Sequence, residues 1–373
     1  MGGSGAKKRH GFTLIELLVG STIMLVTILA ALYIYGRSNK VSVDQQQCAQ
    51  VQHDVRSGMY FIARDTRMAG VNLPGEFMGY FMEGTDNDNA ENVAVTPDRL
   101  LLIGNIEEPL FLKIKTYDGS ANTLALDDYG LEQYPYLDAY YTNKYVLILP
   151  NPTSNCKRGQ VRIITNVNHT TPTNEVLDLL GGLAPNVNLP GGPTGLGAPG
   201  NCNPSEYTGG SVVFADVKEY WLDVTGVYPG LTAGQNGYIG GGHGGILYLT
   251  ENGVHTPLSQ NIENLQFEYR GEFTTKGILD PFRGWDPTWT TDQTNGPIMR
   301  SRIRQVRMLI LGTTPNRMVS VSGIPPNNIY LYRRPALANT PAGILDDMHK
   351  RFLLESTVNV RNMSLSIYNT GER

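Results

Sequence analysis

The chain predicts an α+β fold: a long N-terminal helix packed on an antiparallel β-sheet with large loop insertions. Three observations lead there. No proline occurs before Pro74, so residues 12 to about 69 can form a single helix. Beyond it, short runs rich in Val, Ile, Leu and Tyr alternate with turn residues. Charged residues make up only 17% of the 373, while glycine (42) and proline (22) are plentiful, the composition of a loop-rich β protein.

The helix has two halves. From Phe12 to Tyr35 the residues are almost all apolar, and the only acid or base among them is Glu16. About 20 such residues cross a bilayer as a helix. A carboxylate one turn into such a run is costly in lipid and marks a functional candidate. Ahead of it, residues 1–11 form a short leader in which Lys7, Lys8 and Arg9 favour the cytoplasmic side. An ordinary anchor would leave Glu16 unexplained. A secretory signal has a shorter apolar core, without an acid. Residues 36–70 change character: Cys48, Val51, Val55, Met59 and Ile62 recur at spacings of three and four, while Asp44, Gln52, Asp54, Arg56 and Arg64 fall mostly elsewhere. That is an amphipathic helix laid on a sheet, with Gly70 and Pro74 ending it.

Residues 71–373 are then the β-rich globular domain. Strands are expected at Arg99–Ile103, Tyr145–Leu149, Val161–Asn166, Val212–Leu222, Ile246–Thr250, Ile262–Tyr269, Ile303–Leu311, Ile329–Arg333 and Phe352–Ser366. The low-complexity stretches Gly181–Gly200 and Gly234–Gly245 read as surface loops. Tyr134–Tyr145 holds five tyrosines, which serve either local packing or contact with another subunit.

Net charge is −4, which argues against a nucleic-acid partner. The three cysteines are Cys48, Cys156 and Cys202. Cys156 and Cys202 lie in polar, proline-flanked loops and are the expected disulfide if the domain is exported, with Cys48 left over on the helix; three free thiols is the alternative. Gly240–Gly245 and Gly195–Gly200 both fit G-x-G-x-x-G, but neither follows a strand and opens a helix, as a dinucleotide site requires. The six histidines are scattered, and no metalloprotease, Walker or nucleophile-elbow motif occurs. Asp86, Asp88 and Glu91 offer hard oxygen ligands for calcium, without the spacing of a calcium loop; a solvated acidic turn is the plainer reading. Catalysis, a cofactor and a structural metal are not expected.

The stretch Gly11-Phe12-Thr13-Leu14-Ile15-Glu16 resembles the processing site of type IV prepilins and type II secretion pseudopilins. The resemblance implies cleavage between Gly11 and Phe12 by a prepilin peptidase, methylation of the new amine, and pairing of Glu16 with the terminal amine of a neighbouring subunit during assembly. Asp54 to Gly70, with its Asp65-Thr66-Arg67-Met68-Ala69-Gly70 ending, resembles the helix end of PilW-type minor pilins; Asn261–Tyr269 and Val360-Arg361-Asn362 also resemble that family and its J-type pseudopilin relatives. The first 70 residues match well and the remainder in patches. The implied protein is a pilin-like structural subunit without catalysis, a minor pilin that primes a type IV pilus and sits at or near its tip. Its implied partners are other minor pilins, the major pilin and a tip adhesin. Its implied location is the inner membrane as a single-pass protein with the domain outside the cytoplasm, and then the pilus at the cell surface. The alternatives are a J-type pseudopilin of a type II secretion system and an extracellular binding module on a pilin anchor.

Overall fold

In the computed structural model, described residues are 13–72, 82–84, 86, 97–105, 111–127, 138–154, 160–171, 174–180, 203–223, 244–251, 254–273, 275, 277–286, 302–316, 332–338, 340, 342 and 346–360. Helix α1 runs unbroken from Leu14 to Met68, 55 residues and about 80 Å at 1.5 Å per residue. Every residue from Leu14 to Lys40 is exposed, and burial begins in earnest at Val51.

The strands follow as β1 (Met82–Gly84), β2 (Leu100–Gly104), β3 (Phe111–Asp118), β4 (Thr123–Leu126), β5 (Tyr145–Leu149), β6 (Gln160–Thr171), β7 (Asn174–Leu179), β8 (Ser211–Asp223), β9 (Gly245–Glu251), β10 (Val254–Gly271), β11 (Ile303–Thr313), β12 (Tyr332–Arg333), β13 (Asp346–Asp347) and β14 (Arg351–Asn359). A four-residue helix, α2 (Asp138–Tyr141), precedes β5. All the strand pairings among the described residues are antiparallel.

Two bodies share strand β8. The first is an open sheet in the order β14-β11-β10-β9-β8-β2-β1, on which α1 lies. The second is a closed ring, β8-β3-β4-β7-β6-β5, that returns to β8. Closure works because β8 is long. Its first residues, Ser211–Ala215, pair with β3 and β5. Its later residues, Asp216–Asp223, pair with β2 and β9. The single expected sheet with loop insertions is therefore a sheet plus a small barrel, and the barrel is what fills the chain between the neighbouring strands β2 and β8.

Each body has its own core. Under α1, Val51, Val55, Met59 and Ile62 meet Leu265, Ile310 and their neighbours. Inside the ring, Leu112, Ile114, Val146, Ile164 and Phe214 close a separate cluster with Tyr141 and Tyr207. Of the tyrosine-rich stretch, Tyr141 is fully buried in the ring and Tyr145 is buried in β5, so these two serve local packing. The ring lies just past the C-terminal end of α1. The Gly70 N–H, two residues beyond the helix, donates to the Ile103 carbonyl at 2.9 Å, and Ile103 pairs with Val217, two residues from the ring portion of β8.

Candidate functional site

The candidate site is α1 itself: its N-terminal turn, its bare apolar half and the dock that holds its far half. The first turn is closed by a capping box. Thr13 stands at the N-cap in an extended conformation (φ −79°, ψ 149°). Its hydroxyl oxygen accepts the Glu16 N–H at 3.3 Å, and its own N–H and hydroxyl both donate to Glu16 Oε2 at 3.1 Å. A threonine followed three residues on by a glutamate satisfies otherwise orphaned amides in this way. The carboxylate of Glu16 is thereby held at the helix start, where the helix dipole also favours negative charge. The sequence-derived processing pair, Gly11 and Phe12, lies outside the described residues, immediately ahead of this cap.

The next 22 residues, Leu14–Tyr35, are bare on every side. Their serine and threonine hydroxyls are satisfied within the helix: Ser21 and Thr22 donate to the Leu18 carbonyl at 2.9 and 2.8 Å, and Thr27 to that of Ile23 at 2.8 Å. A helix in lipid must pair its polar groups internally, and these three side chains do. By length and composition the segment can cross a membrane.

The far half is fastened by two inward-facing acids. Asp54 was expected on the solvent side of the helix, but it is buried. Its carboxylate accepts Gln50 Nε2 and Asn261 Nδ2, both at 2.8 Å, and its carbonyl accepts the Ser259 hydroxyl at 2.7 Å. Asp65 is 1% exposed and receives Arg64 Nε at 2.7 Å, the Tyr220 hydroxyl at 2.7 Å and Lys218 Nζ at 3.3 Å. Lys218 also reaches Glu251 at 3.0 Å. Burial works to raise the Asp65 pKa, but the hydrogen bonds from Arg64 and Tyr220 and the charge of Lys218 outweigh it and hold the carboxyl below its ordinary value. Burial, followed by the Asp65 charge, pushes the Tyr220 phenol up. Burial works to lower the Lys218 pKa, and its two acidic partners more than reverse that.

Two glycines let the helix come close. A Cβ at Gly312 would lie 2.5 Å from Val55 Cγ2 and 2.7 Å from Val51 Cγ1; one at Gly58 would lie 2.7 Å from Leu247 Cδ2. Asp54, Asp65, Gly58 and Gly312 were not singled out from the sequence as dock residues. A signal was present: Asp54 and Asp65 are eleven residues apart, three turns, the same spacing as Val51 and Ile62, so both pairs run along one side of the helix.

The other expected site residues are not brought together here. Cys156 and Cys202 lie outside the described residues, and Cys48 is half-buried with a free thiol. Of the calcium candidates, Asp86 is half-buried, and its carboxylate stands where a Cβ on Gly284 would be. Asp88 and Glu91 lie outside the described residues. Among the described residues, no three His, Cys, Asp or Glu side chains are grouped for a metal ion.

Comparison with known families matches residues 6–32 to the prokaryotic N-terminal methylation motif. The match covers the basic leader, the Gly11–Phe12 pair, the capping box and most of the bare apolar run. It supports a pilin- or pseudopilin-type subunit, processed by a prepilin peptidase and associated with pilus components. The motif and the apolar helix together are consistent with membrane anchoring. No curated protein and no solved structure matches the chain.

Proposed function

We propose that this chain is a minor pilin of the PilW type, a structural subunit that primes type IV pilus assembly and sits at or near the pilus tip. The observation that carries the reading is the division of α1. Its first half has the methylation motif and is bare on all sides; its second half is clamped to a sheet through Asp54 and Asp65. Such a helix suits a subunit that waits in the inner membrane with its domain outside the cytoplasm and later packs its bare half against the bare halves of other subunits. The PilW assignment rests on the helix-end resemblance at Asp54 to Gly70. A J-type pseudopilin shares the motif and would assemble by the same chemistry.

Glu16 has the assembly role in this proposal. Removal of residues 1–11 would place a charged amine at Phe12, beside the Thr13 cap. An amine and a carboxylate that are each poorly solvated gain most by meeting, so the Glu16 carboxylate would exchange part of its capping box for the amine of an adjacent subunit. The test is purification of the full-length chain from membranes with its pilus partners. Glu16→Gln, which keeps the shape and removes the charge, should leave insertion and the amount of chain unchanged while reducing the recovered partners and the number of pili. Wild-type recovery of both would refute the charge-pairing role.

A further inference from the structure

The open sheet has two edges, and they differ. One is β1, three residues long. The other is β14, which pairs with β11 through nine consecutive residue pairs, Arg351–Thr313 to Asn359–Gln305, without a bulge and without a proline. Long, regular edges attract further strands, and proteins keep them short, break them or cover them. The Val360 N–H donates to the Arg304 carbonyl at 2.9 Å, and the Lys350 carbonyl accepts the Thr314 N–H at 3.0 Å. Even-numbered residues here therefore turn their backbone groups to β11, while Leu353, Glu355, Thr357 and Asn359 turn theirs away from it. Among the described residues no strand pairs with that side.

The side chains alternate as well. Val358 and Val360 are buried in the core under α1, and Phe352 and Leu354 pack against it. Leu353, Glu355, Thr357 and Asn359 are exposed on the opposite face. Expected to run to Ser366, β14 ends at Asn359. Just beyond it the apolar pattern changes phase: it moves from even positions to the odd ones Met363, Leu365 and Ile367, with Ser364, Ser366 and Tyr368 between them. A straight continuation would turn those three apolar residues outward. It would also have no neighbour, because β11 begins at Ile303, only two residues beyond Gln305, the partner of Asn359. A reversal at Asn362–Met363 corrects both faults, and asparagine suits a tight two-residue turn. It sets Leu365 beside Val360 and Ile367 beside Val358 on the core face, and Ser366 beside Asn359 and Tyr368 beside Thr357 on the solvent face.

We propose that residues 364–370, which lie outside the described residues, return along β14 as a further antiparallel strand and close this edge. The backbone groups of Ser366, Tyr368 and Thr370 then meet those of Asn359, Thr357 and Glu355, the ones that β11 leaves open. The segment has no proline, so none of these donors is missing. A second copy of the chain is not the occupant. Antiparallel pairing of β14 with its own counterpart relates two copies by a twofold axis normal to the sheet. Because α1 lies along the sheet, the two bare apolar halves would then point in opposite directions, and one bilayer could not hold both side by side. This inference goes beyond the pilin reading, and its test involves neither processing nor pilus partners.

The experiment is amide hydrogen exchange of the full-length chain in detergent micelles, read residue by residue by mass spectrometry. In the wild type the amides of Ser366, Tyr368 and Thr370 should exchange slowly, as should those of Glu355, Thr357 and Asn359. Ser366→Pro and Tyr368→Pro each remove one N–H that faces β14 and bar the strand. Either variant should speed exchange at Glu355, Thr357 and Asn359 at least about tenfold, while Leu354, Ser356 and Val358, bonded to β11, stay slow. Release of alternate residues separates loss of the covering strand from unfolding of β14, which would free both sets together. Wild-type exchange of residues 364–370 at the rate of an unstructured peptide would overturn the proposal. So would outward amides of β14 that stay slow in both proline variants, since another occupant would then be covering the edge.

Discussion

Replacing Asp65 with Asn tests whether the helix is fastened where the structure fastens it. The amide keeps the size and can still accept the Tyr220 hydroxyl, but it removes the charge that Lys218 and Arg64 face. Removing one member of a buried ion pair costs about 3–5 kcal/mol. The cost here should be smaller, because Lys218 keeps Glu251 at 3.0 Å and Arg64, with 41% of its side chain exposed, can turn to water. About 2–3 kcal/mol is expected, with a weakened charged hydrogen bond from Tyr220 included. The pH dependence gives a second readout. The folded carboxyl of Asp65 lies below its unfolded value, so its contribution is present above the ordinary aspartate range and is lost as pH falls through the folded pKa. Acid destabilisation below about pH 4 should therefore be shallower in the variant. The assay is urea unfolding of the full-length chain in micelles, followed by the fluorescence of its three tryptophans, at neutral pH and in acid. A variant within about 0.5 kcal/mol of wild type with an unchanged acid limb would refute the reasoning.

Two further outcomes follow from packing and covalent chemistry. Gly312→Val should destabilise the helix dock by about 1–3 kcal/mol, because even its Cβ would press on Val51 and Val55; wild-type stability would show that the helix has room to shift. Cys156 and Cys202 are expected to be bonded, closing a loop of about 47 residues that contributes about 4 kcal/mol in the chain-entropy model. Thiol labelling of the unreduced, unfolded chain should modify Cys48 alone, and modification of all three cysteines would refute the pairing.

The helix, its division and most strands of the open sheet were legible in the sequence for plain reasons. Pro74 marks the first possible break, Glu16 interrupts an otherwise apolar run, and strands such as Leu100–Gly104 and Ile303–Thr313 are continuous apolar or alternating segments. The ring was legible only in part: β5, β6 and β8 fall on expected strands, but β3, β4, β7 and the closure do not. In β3, Leu112, Ile114 and Tyr117 point inward, but Lys113 and Lys115 stand between them on the outer face, so the run does not read as an apolar strand. In β7, Glu175 and Asp178 break the run in the same way, and β4 is only four residues long. Closure itself depends on β8 pairing with both β3 and β5 across long stretches of chain, which no local pattern encodes. The dock was hidden for a related reason. Asp54 and Asp65 have the residue type of a solvated face, and only their partners, Asn261 on β10 and Lys218 and Tyr220 on β8, turn them inward.

The most direct measurement of the central claim is the intact mass of the chain extracted from membranes. Removal of residues 1–11, with one methyl group on the amine of Phe12, is the result a pilin-type subunit should give. A chain that retains its leader, or one cut near Tyr35, would contradict the account, whatever the stability of the domain beyond it.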